Sequence, residues 1–149
     1  NDETRHAWMW TKRIKDEGAL PVLVPDGYQR RLGKALGIPR SIIDLFAITV
    51  VVEERSQSRY TEHAASPVCD DKTMEILAQL TQDEKWHVAW MEEWLFKLAA
   101  AQGIEQQARD TLAEFRSVEA GVFEQMKDME REWLGFSFSD PDGPAAARP

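Results

Sequence analysis

The chain has 149 residues and a mass of 17.1 kDa, room for one domain with a substantial core and too little for two of ordinary size. Apolar residues make up 43% and charged residues 30%, the balance of a globular chain rather than a disordered one. With 26 acidic side chains against 18 basic ones the net charge is -8, and no Lys/Arg cluster stands clear of carboxylates, so nucleic-acid binding, which needs cations to displace phosphate counterions, is disfavoured.

No apolar run approaches the roughly 20 residues of a membrane span, and the longest, Leu45 to Val52, is broken by Thr49, so no membrane insertion is expected. Cys69 is the only cysteine, which rules out an intrachain disulfide and a thiolate metal cage. A reducing cytoplasm is the expected location, with no signal peptide in view. The first residues, N-D-E-T-R-H, already read as the middle of a helix, which implies a segment upstream of Asn1.

In chain order, residues 2 to 17 carry helix formers and no breaker before Gly18, with His6, Trp10 and Ile14 on related faces, and predict a first helix. Pro21 and Pro25 make the stretch from 19 to 26 a loop. A short helix is expected from Gly27 to Leu36, ended by Gly37 and Pro39. From Arg40, the positions Ile43, Phe46, Val50, Glu53, Gln57, Tyr60 and Ala64 share one helical face up to Pro67.

Asp70 or Asp71 can cap the next helix, which runs to about Ala101 with Ile76 or Leu77, Leu80, Glu84, His87, Met91 and Trp94 on one stripe. The last helix spans Glu105 to Leu134, its seam formed by Leu112, Phe115, Glu119, Val122, Met126, Met129 and Trp133. The fold class is therefore all-α, an antiparallel helical bundle over residues 1–134, followed by a Gly/Pro/Ala-rich flexible tail over 135–149.

Two phrases stand out on these helices: D-E-T-R-H-A-W-M-W from Asp2 and D-E-K-W-H-V-A-W-M from Asp83. Each places a glutamate and a histidine three residues apart, on one side of a helix. Glu3 and His6 form one pair; Glu84 and His87 form the other, on the apolar stripe. Burying an ionised carboxylate without a partner costs several kcal/mol, and a divalent cation is a partner that offsets it. Either pair alone reads equally as a salt bridge or a satisfied core histidine; together they favour a metal.

Glu53 adds a third contribution, as the acidic residue on the buried stripe of the intervening helix, though an ion pair to Arg55 or Arg59 is the alternative and Glu54 is a neighbouring choice of ligand. Oxygen and imidazole donors without thiolate suit iron or manganese at a carboxylate-bridged pair of ions. Asp2 and Asp83, each preceding a glutamate, are candidates to hold the free ring N–H groups of the histidines.

The order Glu3-x-x-His6, Glu53, Glu84-x-x-His87 resembles the ferritin-like di-iron carboxylate superfamily from its second bundle helix onward, over roughly residues 2 to 98. The D-E-T-R-H phrase is most similar to the oxygenase branch that includes the catalytic subunits of phenylacetyl-CoA and benzoyl-CoA epoxidases. The resemblance implies a ferritin-like bundle holding a pair of iron ions and a di-iron oxygenase that activates O2 toward a small organic substrate, a CoA thioester in that branch.

It also implies an electron-donating reductase as partner, and assembly into homo- or hetero-oligomers. The family's first ligand glutamate sits on a helix this chain lacks, so the missing carboxylate comes from an upstream segment, another chain, or Glu119, the acidic residue on the last helix's seam. The alternatives are a ferritin- or rubrerythrin-like protein handling iron or peroxide, and a metal-free structural bundle. Trp8, Trp10, Trp86, Trp90 and Trp94 are expected mainly in the core, with a substrate-lining wall as the second reading.

Overall fold

The computed structural model describes residues 2–21, 23–24, 26–135, and it contains five helices: α1 (Asp2–Asp16), α2 (Tyr28–Leu36), α3 (Ile42–Ala64), α4 (Asp71–Gln102) and α5 (Glu105–Leu134). There is no strand among the described residues, so the chain is all-α. No described helix is long and apolar enough to cross a membrane. The tail expected after residue 134 lies outside the described residues, Gly135 excepted.

Capping chemistry sets the helix ends. The Ser41 side chain accepts the Asp44 N–H at 3.0 Å, so α3 begins at Ile42 and not at Arg40, and Asp44 in turn accepts the Arg40 N–H at 2.8 Å. Asp70, rather than Asp71, caps α4 by accepting the Thr73 N–H at 3.1 Å. Gly103, at a φ of 68° that L side chains rarely adopt, closes α4 and turns the chain into α5.

One apolar cluster of the core lies at one end of the bundle, where Ile43, Ala47, Val50 and Val51 of α3 meet Leu95 and Ala99 of α4 and Ala108 and Leu112 of α5, while Leu77 and Leu80 of α4 are buried toward the other end. These small and branched side chains let α3 and α4 pack closely along much of their length, antiparallel, with α5 against both and α2 lying on α5. Antiparallel order also holds for α1 on α4, since Arg13 meets Thr73, His6 meets Asp83 and Asp2 meets His87. Few residues join α1 to α4, and the named ties are polar. Arg13, 8% exposed, donates to Thr73 Oγ1 at 2.8 Å and to Asp70 Oδ2 at 2.5 Å, and so pins the far end of α1 to the start of α4. That anchor fixes the register at which Glu3 and His6 arrive on α4.

Two seam expectations need correction. Trp94 on α4 and Trp133 on α5 are exposed rather than buried, and Leu95 and Ala99 take the core side of α4 instead. The same holds for most of the tryptophans expected in the core: Trp8, Trp86 and Trp90 are exposed, and Trp10 is half-buried. At about 100° per residue Trp86 lies roughly 200° around the helix from Glu84, so the series 86, 90, 94 starts on the solvent side of α4 and turns only about 40° per step.

Glu119 is buried on the α5 seam, where both of its oxygens accept from Arg55, each at 2.7 Å, and the Arg55 guanidinium also lies 3.6 Å from the Phe123 ring centroid. Removing one member of such a pair strands a charge in a mostly buried site, Arg55 being 20% exposed at its side chain. Glu119→Ala is expected to destabilise the chain by about 3 kcal/mol in chemical denaturation, and pairing it with Arg55→Met is expected to recover most of the loss.

Candidate metal centre

Glu3 and His6 on α1, Glu53 on α3, and Glu84 and His87 on α4 converge in the half of the bundle away from the Leu95 and Ala99 apolar cluster. One ligand atom from each of Glu3, Glu53, Glu84 and His87 lies within 4.8 Å of all the others. His6 stands at the edge of this group, its Nδ1 3.4 Å from Glu84 Oε1 and 3.8 Å from Glu3 Oε2. The two imidazole rings are 6.1 Å apart.

The arrangement of the carboxylates is two-sided. Glu84, 1% exposed, directs Oε1 toward His6 and Oε2 toward His87, whose Nδ1 is 2.9 Å away. Glu3 repeats the pattern, with Oε2 3.8 Å from His6 Nδ1 and Oε1 3.9 Å from His87 Nδ1. Each glutamate therefore spans the gap between the imidazoles, which defines two positions, each facing one Nδ1 and one oxygen from each glutamate. Glu53 belongs with the His87 position, and the described residues supply no equivalent carboxylate to the His6 position.

The histidines are held crosswise. His6 Nε2–H donates to Asp83 Oδ2 on α4 at 3.1 Å, and His87 Nε2–H donates to Asp2 Oδ2 on α1 at 3.3 Å. An ionised carboxylate only accepts, so each aspartate fixes a proton on Nε2 and aims Nδ1 at the cluster. Both tether candidates thus meet the histidine of the opposite helix. Arg5, unnoticed in the sequence, donates to Asp83 at 2.6 Å and to Asp2 at 3.4 Å and holds the two aspartates on one outer rim. Its signal was its place inside the repeated D-E-x-x-H phrase, where the second copy has Trp86.

The electrostatics among the cluster's own side chains are unfavourable. Burial and the adjoining Glu84 carboxylate push Glu53 up to about 8. His87 is raised as well: burial opposes its charge, but hydrogen bonds to Glu84 and Asp2 outweigh that. His6 Nδ1 is buried with no hydrogen-bond partner, although it points at Glu84 and Glu3. An orphaned buried nitrogen, crowded carboxylates and tethered imidazoles all fit a bound cation, and the all-O/N donor set fits iron or manganese.

The remaining alternatives resolve on geometry. Glu54 is occupied by Arg116, which donates to its two oxygens at 2.9 and 2.5 Å, so Glu53 is the one that faces the cluster. Glu53 has no ion pair with Arg55 or Arg59, which serve Glu119 and Glu130. Glu119, bound to Arg55 on another face of α3, does not join the Glu/His cluster and is corrected as a source of the missing carboxylate. Tyr60, on the Glu53 face of α3, packs its ring 6.2 Å from Trp10 of α1. It also lines a cavity of about 220 Å³ with Tyr28, Arg55, Phe123 and Met126.

Because outer carboxylates orient metal-bound histidines, Asp83→Ala is expected to weaken ferrous-ion or manganous-ion binding about 10- to 100-fold in equilibrium titration. Asp2→Ala should do the same through His87. Comparison of the chain with protein-family models, with curated proteins and with solved structures returns no match.

Proposed function

We propose that this chain is a ferritin-like di-iron carboxylate protein and serves as an oxygenase, or as the metal-bearing part of one. The observation that carries the reading is the pair of glutamates, Glu3 and Glu84, each offering one oxygen to either side of two inward-facing histidine Nδ1 atoms. Glu53 serves as the terminal carboxylate beside His87. Its counterpart beside His6 is the fourth carboxylate of the bundle arrangement, brought by a further segment or a second chain.

Glu3, His6, Glu53, Glu84 and His87 would hold the iron, which when bound would supply the electrons for reducing dioxygen, with a separate reductase restoring them. The chain's own residues do the rest. Glu84 stays in place because it is enclosed on all sides, whereas Glu3, 64% exposed at its side chain, is free to swing between one position and both. Asp2 and Asp83 keep the imidazoles in one tautomer throughout. The organic substrate of the branch it resembles is a CoA thioester.

The exposure of Glu3 favours a second reading, a ferroxidase or peroxide scavenger, since aqueous ions and peroxide reach the cluster from that side. The test is to load the chain with ferrous iron without oxygen, then admit labelled O2 with an aryl-CoA thioester and a reductase or dithionite-reduced mediator. Label in the thioester supports the oxygenase. Iron oxidation with no label in the thioester supports the ferroxidase. Failure to take up iron supports a structural bundle.

A further inference from the structure

α4 carries three tryptophans in series beside the cluster. The Trp86 ring meets His87 edge-on, with ring centroids 5.6 Å apart. Trp86 then stacks on Trp90 at 6.1 Å with an interplanar angle of 13°, and Trp90 meets Trp94 at 6.3 Å. All three are exposed, at 60%, 38% and 41%, and Lys97 sits 5.3 Å over the outermost ring. Trp90 also lies 6.3 Å from Phe46, but a pure packing role would bury all three; their exposure in an unbroken line that starts beside His87, with Trp86 the most exposed, asks for another account.

Resting on the di-iron reading, we propose that Trp86, Trp90 and Trp94 form a relay that passes single electrons between the protein surface and the metal centre, draining oxidising equivalents when no substrate is there to consume them. Indole is among the most easily oxidised side chains, and neighbouring rings in van der Waals range exchange electrons readily. Each event moves one electron inward. Trp86 gives an electron to the oxidised centre, and its indole N–H proton passes to water, which its exposure allows. Trp90 refills Trp86, which takes a proton back from water as the electron arrives, and Trp94 refills Trp90. A soluble one-electron reductant, such as ascorbate, refills Trp94. The centre is reduced by one electron and the reductant oxidised by one, and the three indoles end unchanged.

The exposure of the whole strip matters, because a reductant can meet any of the three rings and need not enter the site. The relay also spares His87 and Glu84, which would otherwise be the nearest groups to an unspent oxidant. Phenylalanine at position 90 keeps the aromatic surface but cannot be oxidised at that potential. Tyrosine restores an oxidisable ring.

The experiment mixes ferrous-loaded chain with O2 and ascorbate in the absence of organic substrate, in wild type, Trp90→Phe and Trp90→Tyr. Freeze-quench electron paramagnetic resonance reads tryptophan radicals, the ascorbate absorbance reads electron delivery, and peptide mass spectrometry reads oxygen adducts. Expected in wild type are a transient tryptophan radical and rapid ascorbate loss. Trp90→Phe should slow ascorbate loss several-fold and shift adducts toward Trp86 and His87, and Trp90→Tyr should restore the rate. Equal rates and adducts in all three, with iron bound and oxidised, would overturn the relay alone and leave the strip as a docking face. A chain that takes up no iron overturns the di-iron reading and the relay with it.

Discussion

Glu84→Ala is expected to lower the iron content of anaerobically loaded chain from about two ions to at most one, measured as metal per chain after gel filtration. The size of the effect follows from position. Glu84 is the enclosed carboxylate that faces both imidazoles at once, so its loss removes an oxygen from each side and leaves His6 Nδ1 and His87 Nδ1 with exposed Glu3 as their shared partner. Glu75→Ala, on the solvent side of α4, should leave the metal content unchanged and controls for folding. Stoichiometric zinc that survives Glu84→Ala would count against the di-iron site.

The second large effect is on stability against pH. Glu53 has a raised folded-state pKa, so the folded chain binds its proton more tightly than the unfolded chain does. That contribution is fully present below the ordinary glutamate value and is lost as pH rises through about 8. His87, also raised, acts with the same sign from its ordinary value upward. Metal-free chain is therefore expected to lose several degrees of Tm between about pH 5 and about pH 9, and Glu53→Gln should flatten the slope. Asp2 and Asp26, held below the ordinary carboxylate range by hydrogen bonds to His87 and Lys34, act in the opposite sense on the acid side.

A bound cation reverses the slope, because its ligands must be deprotonated. At a free metal concentration of 100 times Kd, stability rises by about 2.7 kcal/mol, or about 5–10 °C in Tm for a chain of this size. Differential scanning with and without manganous ion, across the same pH range, checks both signs. Parallel curves with and without metal would contradict the cation site.

The helices were legible because 3.6-residue spacing and caps are local. α5 runs over Glu105–Leu134 as read, and the errors elsewhere are of one or two residues at caps such as Ser41. The two Glu-x-x-His pairs were legible for the same reason, each being a one-turn relation on one helix. The crosswise tethers were legible as candidate residues but not as partners, since Asp83 to His6 and Asp2 to His87 are relations between helices. Glu119 was rightly placed on a buried seam, yet only the approach of α3 to α5 shows that Arg55 satisfies it. The tryptophans went wrong because helical spacing was taken to mean burial, whereas Trp86 lies about 200° around α4 from Glu84 and starts the 86, 90, 94 series on the solvent side.

The weak attachment of α1 carries a consequence for assembly. Two of the five candidate ligands, Glu3 and His6, ride on a helix that contributes nothing to the clustered apolar core and is joined to α4 through arginine, aspartate and histidine. Such a helix behaves as its own cooperative unit, able to lift off while α3, α4 and α5 stay folded. If the cluster takes up a cation as proposed, capture would double as a latch: what binds the ion would also close the door behind it, and amide exchange along Asp2–Asp16 would become a gauge of occupancy.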